Sequence, residues 1–221
     1  MDLQGTAFVL QCWRQVMEGY AVPAGPTRDQ AFADLVRCYS EPHRHYHSLI
    51  HLEELLSILV GRTKKTRDWR PGYLAAYYHD VVYEPRRQDN EAESAKFAAI
   101  ALANLGLDTR VIERACQLIQ WTANHAAPDD DADALLFLGA DLGILSASAE
   151  RYQAYRHAIR LEYEWVPERD FLAGRKRVLE GFRNRPKIYR SEHLAHFEEP
   201  ARRNLSAEIA EIDEMLRNLP P

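Results

Sequence analysis

The 221-residue sequence has few cysteines, no excess of basic charge and no long apolar run. Its three cysteines, Cys12, Cys38 and Cys116, are odd in number and lack metal-type spacing, which argues for a reducing compartment and against a disulfide framework. Lys and Arg number 28 against 33 Asp and Glu, so binding to extended nucleic acid is not expected. Apolar stretches are interrupted well short of the ~20 residues that a membrane span needs.

Several functional signatures are also missing from the sequence. The beginning of the chain lacks the basic n-region and the small-residue cleavage site of a signal peptide. There is no Gly-rich phosphate loop, no GxSxG elbow and no CxxC pair. We therefore expect a cytoplasmic protein without membrane association, and the oligomeric state is left open. Because the net charge is −5, a phosphate-handling site would need local cations or a metal.

Apolar residues recur with helical spacing along most of the chain, and no segment alternates apolar and polar residues as a half-buried strand does. Boundary residues such as Gly106, a helix stop, and Asp108, a helix cap, divide the pattern into roughly nine or ten helices. We predict an all-α protein that forms a single globular helical domain over residues 1–221. Its core is expected at about 26–183, followed by a helical extension at about 184–221.

A histidine-rich stretch, EPHRHYHSLIH, holds four of the nine histidines. Within it, His47 and His51 are four residues apart at the start of a helical pattern, so we expect their side chains on one face, with Cβ atoms ~5–6 Å apart. This spacing suits metal binding or acid–base catalysis. The alternative is two partly buried histidines with ordinary hydrogen bonds.

Two further segments place metal-ligand residues beside apolar runs. His79 and Asp80 follow such a run in AAYYHDVVY, and a neighbouring imidazole and carboxylate suit mid-row divalent metals. Asp141 is the single charged residue within FLGADLGIL, where a bare carboxylate is costly to bury unless it is paired or metal-bound. A helix cap or an internal salt bridge is the alternative for Asp141.

In chain order these residues form the pattern H…HD…D, which comprises His51, His79, Asp80 and Asp141. The pattern resembles the HD superfamily of metal-dependent phosphohydrolases. Its flanks resemble a small bacterial branch of predicted HD phosphohydrolases, from about Arg37 to Leu216, through EPHRHYHSLIHL, YYHDVVYEPRRQDNEAESA, IQWTANH, GADLGIL and FEEPARRNL. The segment YHSLIH is also similar to the YHNxxH element of cyclic-nucleotide phosphodiesterases, with Ser48 in the Asn position.

The resemblance implies an HD-type helical fold and a divalent metal site. The implied ligands are His51, His79, Asp80 and Asp141. Mixed nitrogen and oxygen ligation fits Mn, Fe, Co, Ni or Zn without choosing among them. The resemblance further implies that His47 is the general acid that protonates the leaving oxygen.

Other residues near these motifs are candidates for supporting roles. By resemblance, Glu84 is a catalytic carboxylate that orients water. His125 and Glu91 are candidates for a second metal or a phosphate contact, although a loop histidine and a helix-dipole carboxylate are the alternatives. Three arginines near the ligands have guanidinium groups that suit phosphoryl oxygens, and we predict that they bind substrate: Arg44, Arg86 and Arg87.

The leading functional prediction is a metal-dependent phosphohydrolase, in which metal-activated water attacks a phosphate ester of a small molecule or nucleotide. One alternative is a pyrophosphate or phosphodiester hydrolase with a binuclear site. Another is a metal-dependent oxygenase on the same helical scaffold. The last is a catalytically silent HD module that binds a nucleotide or a protein partner.

Overall fold

The computed structural model describes residues 3–60 and 69–219. Residues 1–2, 61–68 and 220–221 of the predicted domain lie outside this description. The described residues form α-helices and short 3₁₀ helices without strands, which confirms the all-α prediction. The ten α-helices in these ranges are α1 Leu3–Gly19, α2 Pro26–Tyr39, α3 Leu49–Val60, α4 Arg70–Tyr78, α5 Asn90–Asn104, α6 Thr109–Thr122, α7 Ala132–Asp141, α8 Ala149–Glu162, α9 Glu168–Arg183 and α10 Glu198–Asn218. Segments Leu142–Ser146 and Glu192–Phe197 are 3₁₀ helices.

The predicted boundary between α5 and α6 is confirmed in detail. Gly106 adopts a positive φ of 77°, and the Leu107 amide donates to the Leu102 carbonyl at 3.2 Å. These are features of a Schellman ending, which favours glycine because a side chain is strained at this φ. Asp108 then accepts from the Arg110 amide at 2.8 Å and caps α6.

The hydrophobic core is one cluster that includes helices from both ends of the chain. Trp13 and Met17 of α1 are fully buried in it, as is Leu205 of α10. The core therefore extends beyond the predicted limits of 26–183. The segment predicted as a helical extension belongs to the core because α10 buries an apolar stripe against α9 and the 3₁₀ segment at Leu142–Ser146.

Three helix ends meet at one place inside the fold. Helix α3 begins there, and α4 and α7 end there, with these three helices packed against one another. Two glycines that flank the end of α7 allow neighbouring side chains to approach its backbone closely. A Cβ at Gly139 would lie 2.7 Å from the Leu194 Cδ1 atom, and one at Gly143 would collide with the Ile58 side chain.

No single helix within residues 3–60 and 69–219 is long and apolar enough to cross a membrane. The segments Ala132–Ser146 and Ala149–Glu162 meet the length and composition test only as a pair, and they are bent by 100° relative to each other. In α7, every residue from 134 to 140 is buried inside the protein.

Candidate metal centre

Two imidazoles and a carboxylate converge where these helix ends meet. The Nε2 atoms of His51 and His79 are 3.1 Å apart, and the Oδ1 atom of Asp141 lies 3.1 Å from the first and 3.2 Å from the second. Ligand atoms of the three residues all lie within 4.8 Å of one another. This cluster, which we call the triad, could hold a metal ion.

Asp80 joins the triad from one side. Its Oδ2 atom is 3.0 Å from His79 Nε2 and 3.7 Å from His51 Nε2. The four residues of the H…HD…D pattern, which span residues 51–141 of the chain, therefore lie in one neighbourhood, with Asp80 beside the triad and not within it.

The spacing of these atoms fits a divalent ion. Ligands that lie ~2.0–2.2 Å from an ion, at ligand–metal–ligand angles of about 90–109°, are separated from each other by about 3.0–3.5 Å. The four shortest ligand–ligand distances, between 3.0 and 3.2 Å, fall in this range. The three triad atoms are therefore spaced as ligands of one divalent ion are.

The hydrogen bonding of His79 also fits a cation. Its Nδ1 atom lies 2.9 Å from the Ala76 carbonyl, which can only accept, so Nδ1 carries the proton. Neutral His79 then presents the Nε2 lone pair to the oxygens of Asp80 and Asp141 and to His51 Nε2. These groups repel one another unless a proton or a metal ion lies between them.

The two carboxylates make the cluster attractive to positive charge, whether that charge is a proton or a metal ion. Burial would lower the pKa of His79, but the charges of Asp80 and Asp141 raise it well above its ordinary value. Burial would likewise raise the pKa of Asp141, but the His79 charge and the hydrogen bonds from the surrounding histidines hold it well below its usual range. The carboxylates are therefore ionised at neutral pH, as metal ligands must be.

His47 lies in the turn that precedes α3, and not on the helix itself. Helix α3 begins at Leu49, so the predicted helical stacking of His47 over His51 is wrong in detail. The two rings are still close, with centroids 5.9 Å apart. The His47 ring also stacks on Tyr83 at 4.1 Å, which fixes its plane beside the triad.

Glu162, the last residue of α8, determines how His47 is held. Its Oε1 atom accepts the backbone amides of His45, Tyr46 and His47 at 2.8, 2.7 and 2.9 Å. Its Oε2 atom lies 2.7 Å from His47 Nδ1 and accepts the Tyr83 hydroxyl at 2.8 Å. Because Nδ1 is engaged in this way, Nε2 is the ring nitrogen that can donate a proton towards the triad.

The interaction with Glu162 favours protonated His47. Burial would lower the pKa of His47, but the hydrogen bond to Glu162 and the charge of Asp80 raise it above its ordinary value. The raised pKa suits a general acid near neutral pH.

Sequence reasoning did not identify Glu162, although the sequence carries a signal for it. On α8 the buried positions are Tyr152, Tyr155, Ile159 and Glu162, at spacings of three, four and three. An acidic residue on the apolar stripe of an amphipathic helix is costly unless its charge is compensated. Such a residue is a candidate for a role in the site.

Glu162 should contribute to stability in a pH-dependent way. Burial would raise its pKa, but the hydrogen bonds and charge of His47 lower the pKa from 4.5 to about 2. A folded-state pKa below the unfolded value stabilises the fold above about pH 4.5, and this stabilisation is lost as the pH falls towards 2. We expect Glu162→Gln to lose on the order of 3 kcal/mol of unfolding free energy at pH 7 and much less at pH 2.5.

Urea unfolding at both pH values measures this difference between wild type and variant. The matched control is Glu164→Gln, an exposed position two residues further on, which should change stability by no more than a few tenths of a kcal/mol. An equal loss for Glu162→Gln at both pH values would mean that the carboxylate charge does not stabilise the fold.

Arg44 has a different position from the one predicted for a substrate ligand. Its side chain is fully buried and donates to the carbonyls of Asp80 at 2.6 Å, Val81 at 3.0 Å and His47 at 3.2 Å. Its Nε atom donates to Glu41 at 2.9 Å. Arg44 therefore connects the turn that contains His47 to the segment that follows α4. All three of its guanidinium nitrogens donate hydrogen bonds within the protein, so the side chain is not placed to bind a substrate.

A cavity of about 670 Å³ opens onto the triad. His47, His125, Glu91 and Arg87 line it together with the four predicted ligands. Residues of α8, α9 and the segment between these helices also line the cavity. The cavity is thus large enough for a small organic substrate beside the cluster.

His125 is the predicted residue that extends the triad. Its Nε2 atom lies 2.9 Å from Asp141 Oδ2, the oxygen that does not face His51 and His79. Its backbone has a φ of 50°, a left-handed conformation that is uncommon outside glycine. Arg185 donates to the Asn124 carbonyl at 2.8 Å and supports this turn from outside.

Two predicted residues lie apart from the cavity. Glu84 is exposed, and its carboxylate accepts the Arg86 amide within its own turn. The Arg86 guanidinium packs over the Trp165 ring at 4.9 Å. A water-orienting role for Glu84 and a substrate role for Arg86 are not supported by these positions, because both residues make local surface contacts instead. Arg87 lines the cavity but forms a two-point pair with Asp89 at 2.8 and 2.9 Å.

Comparison with known proteins adds no family assignment. No family model matches the chain, and the search of curated proteins finds no relative. The resemblance to HD phosphohydrolases therefore depends on the motif residues themselves.

Proposed function

We propose that this chain is a metal-dependent phosphohydrolase of the HD type that cleaves a phosphate ester of a small molecule. The observation that carries the proposal is the triad with Asp80 beside it, next to an imidazole, His47, whose Nδ1 is held by Glu162 at 2.7 Å. A cluster of side chains that can hold a metal ion and a positioned acid in one cavity are the two elements that metal-dependent ester hydrolysis uses.

Each residue has a distinct task in the proposed reaction. His51, His79, Asp80 and Asp141 would hold a divalent ion, which would lower the pKa of water towards neutrality and polarise a phosphoryl oxygen. His47 donates a proton from Nε2 to the departing oxygen of the ester, and Glu162 keeps the imidazole oriented and protonated before the donation.

A binuclear site is the second candidate, and His125 is the observation that favours it. His125 contacts one oxygen of Asp141 while His51 and His79 contact the other. Asp141 and His125 would then supply ligands for a second ion, and two-metal sites are common in hydrolases of phosphodiesters and related phosphates. Glu91, which also lines the cavity, is available as a further ligand. Metal analysis of the purified protein separates the candidates by giving one or two ions per chain.

A phosphate-release screen tests the proposed function. The wild-type protein is loaded in turn with Mn²⁺, Co²⁺, Ni²⁺ and Zn²⁺ and is incubated with sugar phosphates, nucleotides, alkyl phosphates and polyphosphates. We expect metal-dependent release from at least one monoester class and none from the Asp141→Asn variant. Absence of release across all metals and substrates would favour a module that binds its ligand without turnover.

A further inference from the structure

Part of the cavity lining, which we call the apolar wall, consists of apolar side chains. The apolar side chains on this wall come from α8, α9 and the segments that follow α7 and α8: Leu142, Ile144, Leu145, Ile159, Val166, Phe171, Val178 and Phe182. Val178 is 52% exposed, so the apolar surface reaches the mouth of the cavity. A wall of this kind binds the body of a ligand through burial of apolar area.

Cationic side chains in the cavity are already engaged. Among the lining residues in the described part of the chain, Arg87 and Arg175 are the cations besides histidine. Arg175 is buried and donates to both carboxylate oxygens of Glu208 at 2.9 and 3.1 Å. Arg87 pairs with Asp89 on the surface, where solvent screens the two charges and keeps the pair weak. Only Arg87 can therefore be released at small cost to meet an anionic ligand.

Carboxylates outnumber these cations along the cavity. Asp80, Glu91, Asp141 and Asp170 all line it. A divalent ion would balance the first and third of them, which leaves Glu91 and Asp170 facing the remaining space. A second or third phosphate group would lie near these carboxylates or against apolar side chains, and both placements are unfavourable.

We infer that the substrate carries one phosphate group on an uncharged apolar body, and that the cavity discriminates against nucleoside diphosphates and polyphosphates. This inference rests on the proposed function for the role of the phosphate. The apolar wall indicates that the rest of the substrate is apolar. The arginines that are already paired indicate that it carries no further negative charge. The single phosphate is met by an ion at the triad, by the His47 side chain and by Arg87, all of which lie along the cavity.

Binding of non-hydrolysable phosphonates tests the inference independently of turnover. Isothermal titration of the Mn²⁺-loaded protein is carried out with methyl-, butyl- and octylphosphonate and with adenosine 5′-diphosphate. We expect the affinity to rise by roughly two- to four-fold per methylene group. Adenosine 5′-diphosphate should bind more weakly than octylphosphonate. A phosphonate affinity that does not depend on the length of the alkyl group would overturn the inference. Tighter binding of adenosine 5′-diphosphate than of octylphosphonate would also overturn it.

A charge placed on the apolar wall provides the matched variant. Val178→Asp changes a half-exposed position that lines the cavity, so the fold should tolerate it. We expect Val178→Asp to lower the affinity for octylphosphonate by about ten-fold or more and the affinity for methylphosphonate by less than two-fold. Val60→Asp is the control, since Val60 is similarly exposed at 42% and lies at the end of α3 outside the cavity lining. Equal octylphosphonate affinity in wild type and Val178→Asp would show that the octyl group of the ligand does not contact the apolar wall.

Measurement of turnover distinguishes a failure of this inference from a failure of the proposed function. If octylphosphonate binds as expected but no ester in the screen is hydrolysed, the proposed function fails and the binding specificity stands. If nucleotides are hydrolysed faster than octyl phosphate, the proposed function stands and the inference on substrate class fails.

Discussion

Replacement of Asp141 by asparagine is expected to abolish both metal retention and hydrolysis. Asp141 contacts His51 and His79 through Oδ1 and His125 through Oδ2, so it is the most connected carboxylate of the cluster. Asparagine keeps the shape but removes the charge that attracts the cation. We expect metal affinity to fall by more than the ~10- to 100-fold that loss of a residue hydrogen-bonded to a ligand typically causes.

Thermal unfolding with and without metal measures this effect without any substrate. At a free metal concentration of about 100 times Kd, the wild type should gain about 2.7 kcal/mol of stability, and the variant should gain almost none. Asp130→Asn is the control, because Asp130 is an exposed residue that precedes α7. Metal-induced stabilisation of Asp141→Asn equal to that of wild type would remove Asp141 from the ligand set.

Replacement of His47 by alanine should slow turnover while metal binding is retained. His47 is held by Glu162 and stacked on Tyr83, and it is not part of the triad. Loss of a general acid typically lowers the rate by ~10²–10⁴-fold. We expect this loss in kcat for an alkyl phosphate, whose leaving group needs a proton.

A leaving group that needs no proton distinguishes acid catalysis from structural damage. With p-nitrophenyl phosphate, the defect of His47→Ala should shrink to about ten-fold or less, because the phenolate departs unprotonated. His45→Ala is the matched control, since His45 is exposed in the same turn and should retain wild-type rates with both substrates. An equal defect of His47→Ala with both substrates would contradict the acid role.

Local sequence patterns were sufficient to predict the helices, whereas a shared site for His51, His79 and Asp141 was implied by the resemblance of the H…HD…D pattern to a known family. Helix periodicity and caps depend on neighbours in the chain, so the boundary at Gly106 and Asp108 could be predicted accurately. The convergence of His51, His79 and Asp141 is a tertiary property. The residues alone indicated only that a carboxylate in an apolar segment needs a compensating partner, and a helix cap or a salt bridge remained open as alternatives to a metal.

The features that sequence reasoning missed depend on contacts between distant residues. Arg44 was expected to face a substrate, since arginine suits phosphate, but the backbone carbonyls of Asp80 and Val81 occupy its donors. Glu162 lies 115 residues from His47, and no local pattern links the two. The burial of α10 likewise depends on its partner helix, so an amphipathic helix near the end of the sequence could not be assigned to the core beforehand.

The carboxylate at the end of α8 also constrains the order in which the protein becomes competent during synthesis. The proposed ligands are complete once Asp141 has been translated, whereas the residue that fixes His47 emerges from the ribosome only with Glu162. A nascent chain that stops between these two positions would contain every ligand side chain and still lack the anchor of its proton donor. On the proposed assignment, the side chain that anchors His47 is therefore translated one helix, α8, later than the last proposed ligand.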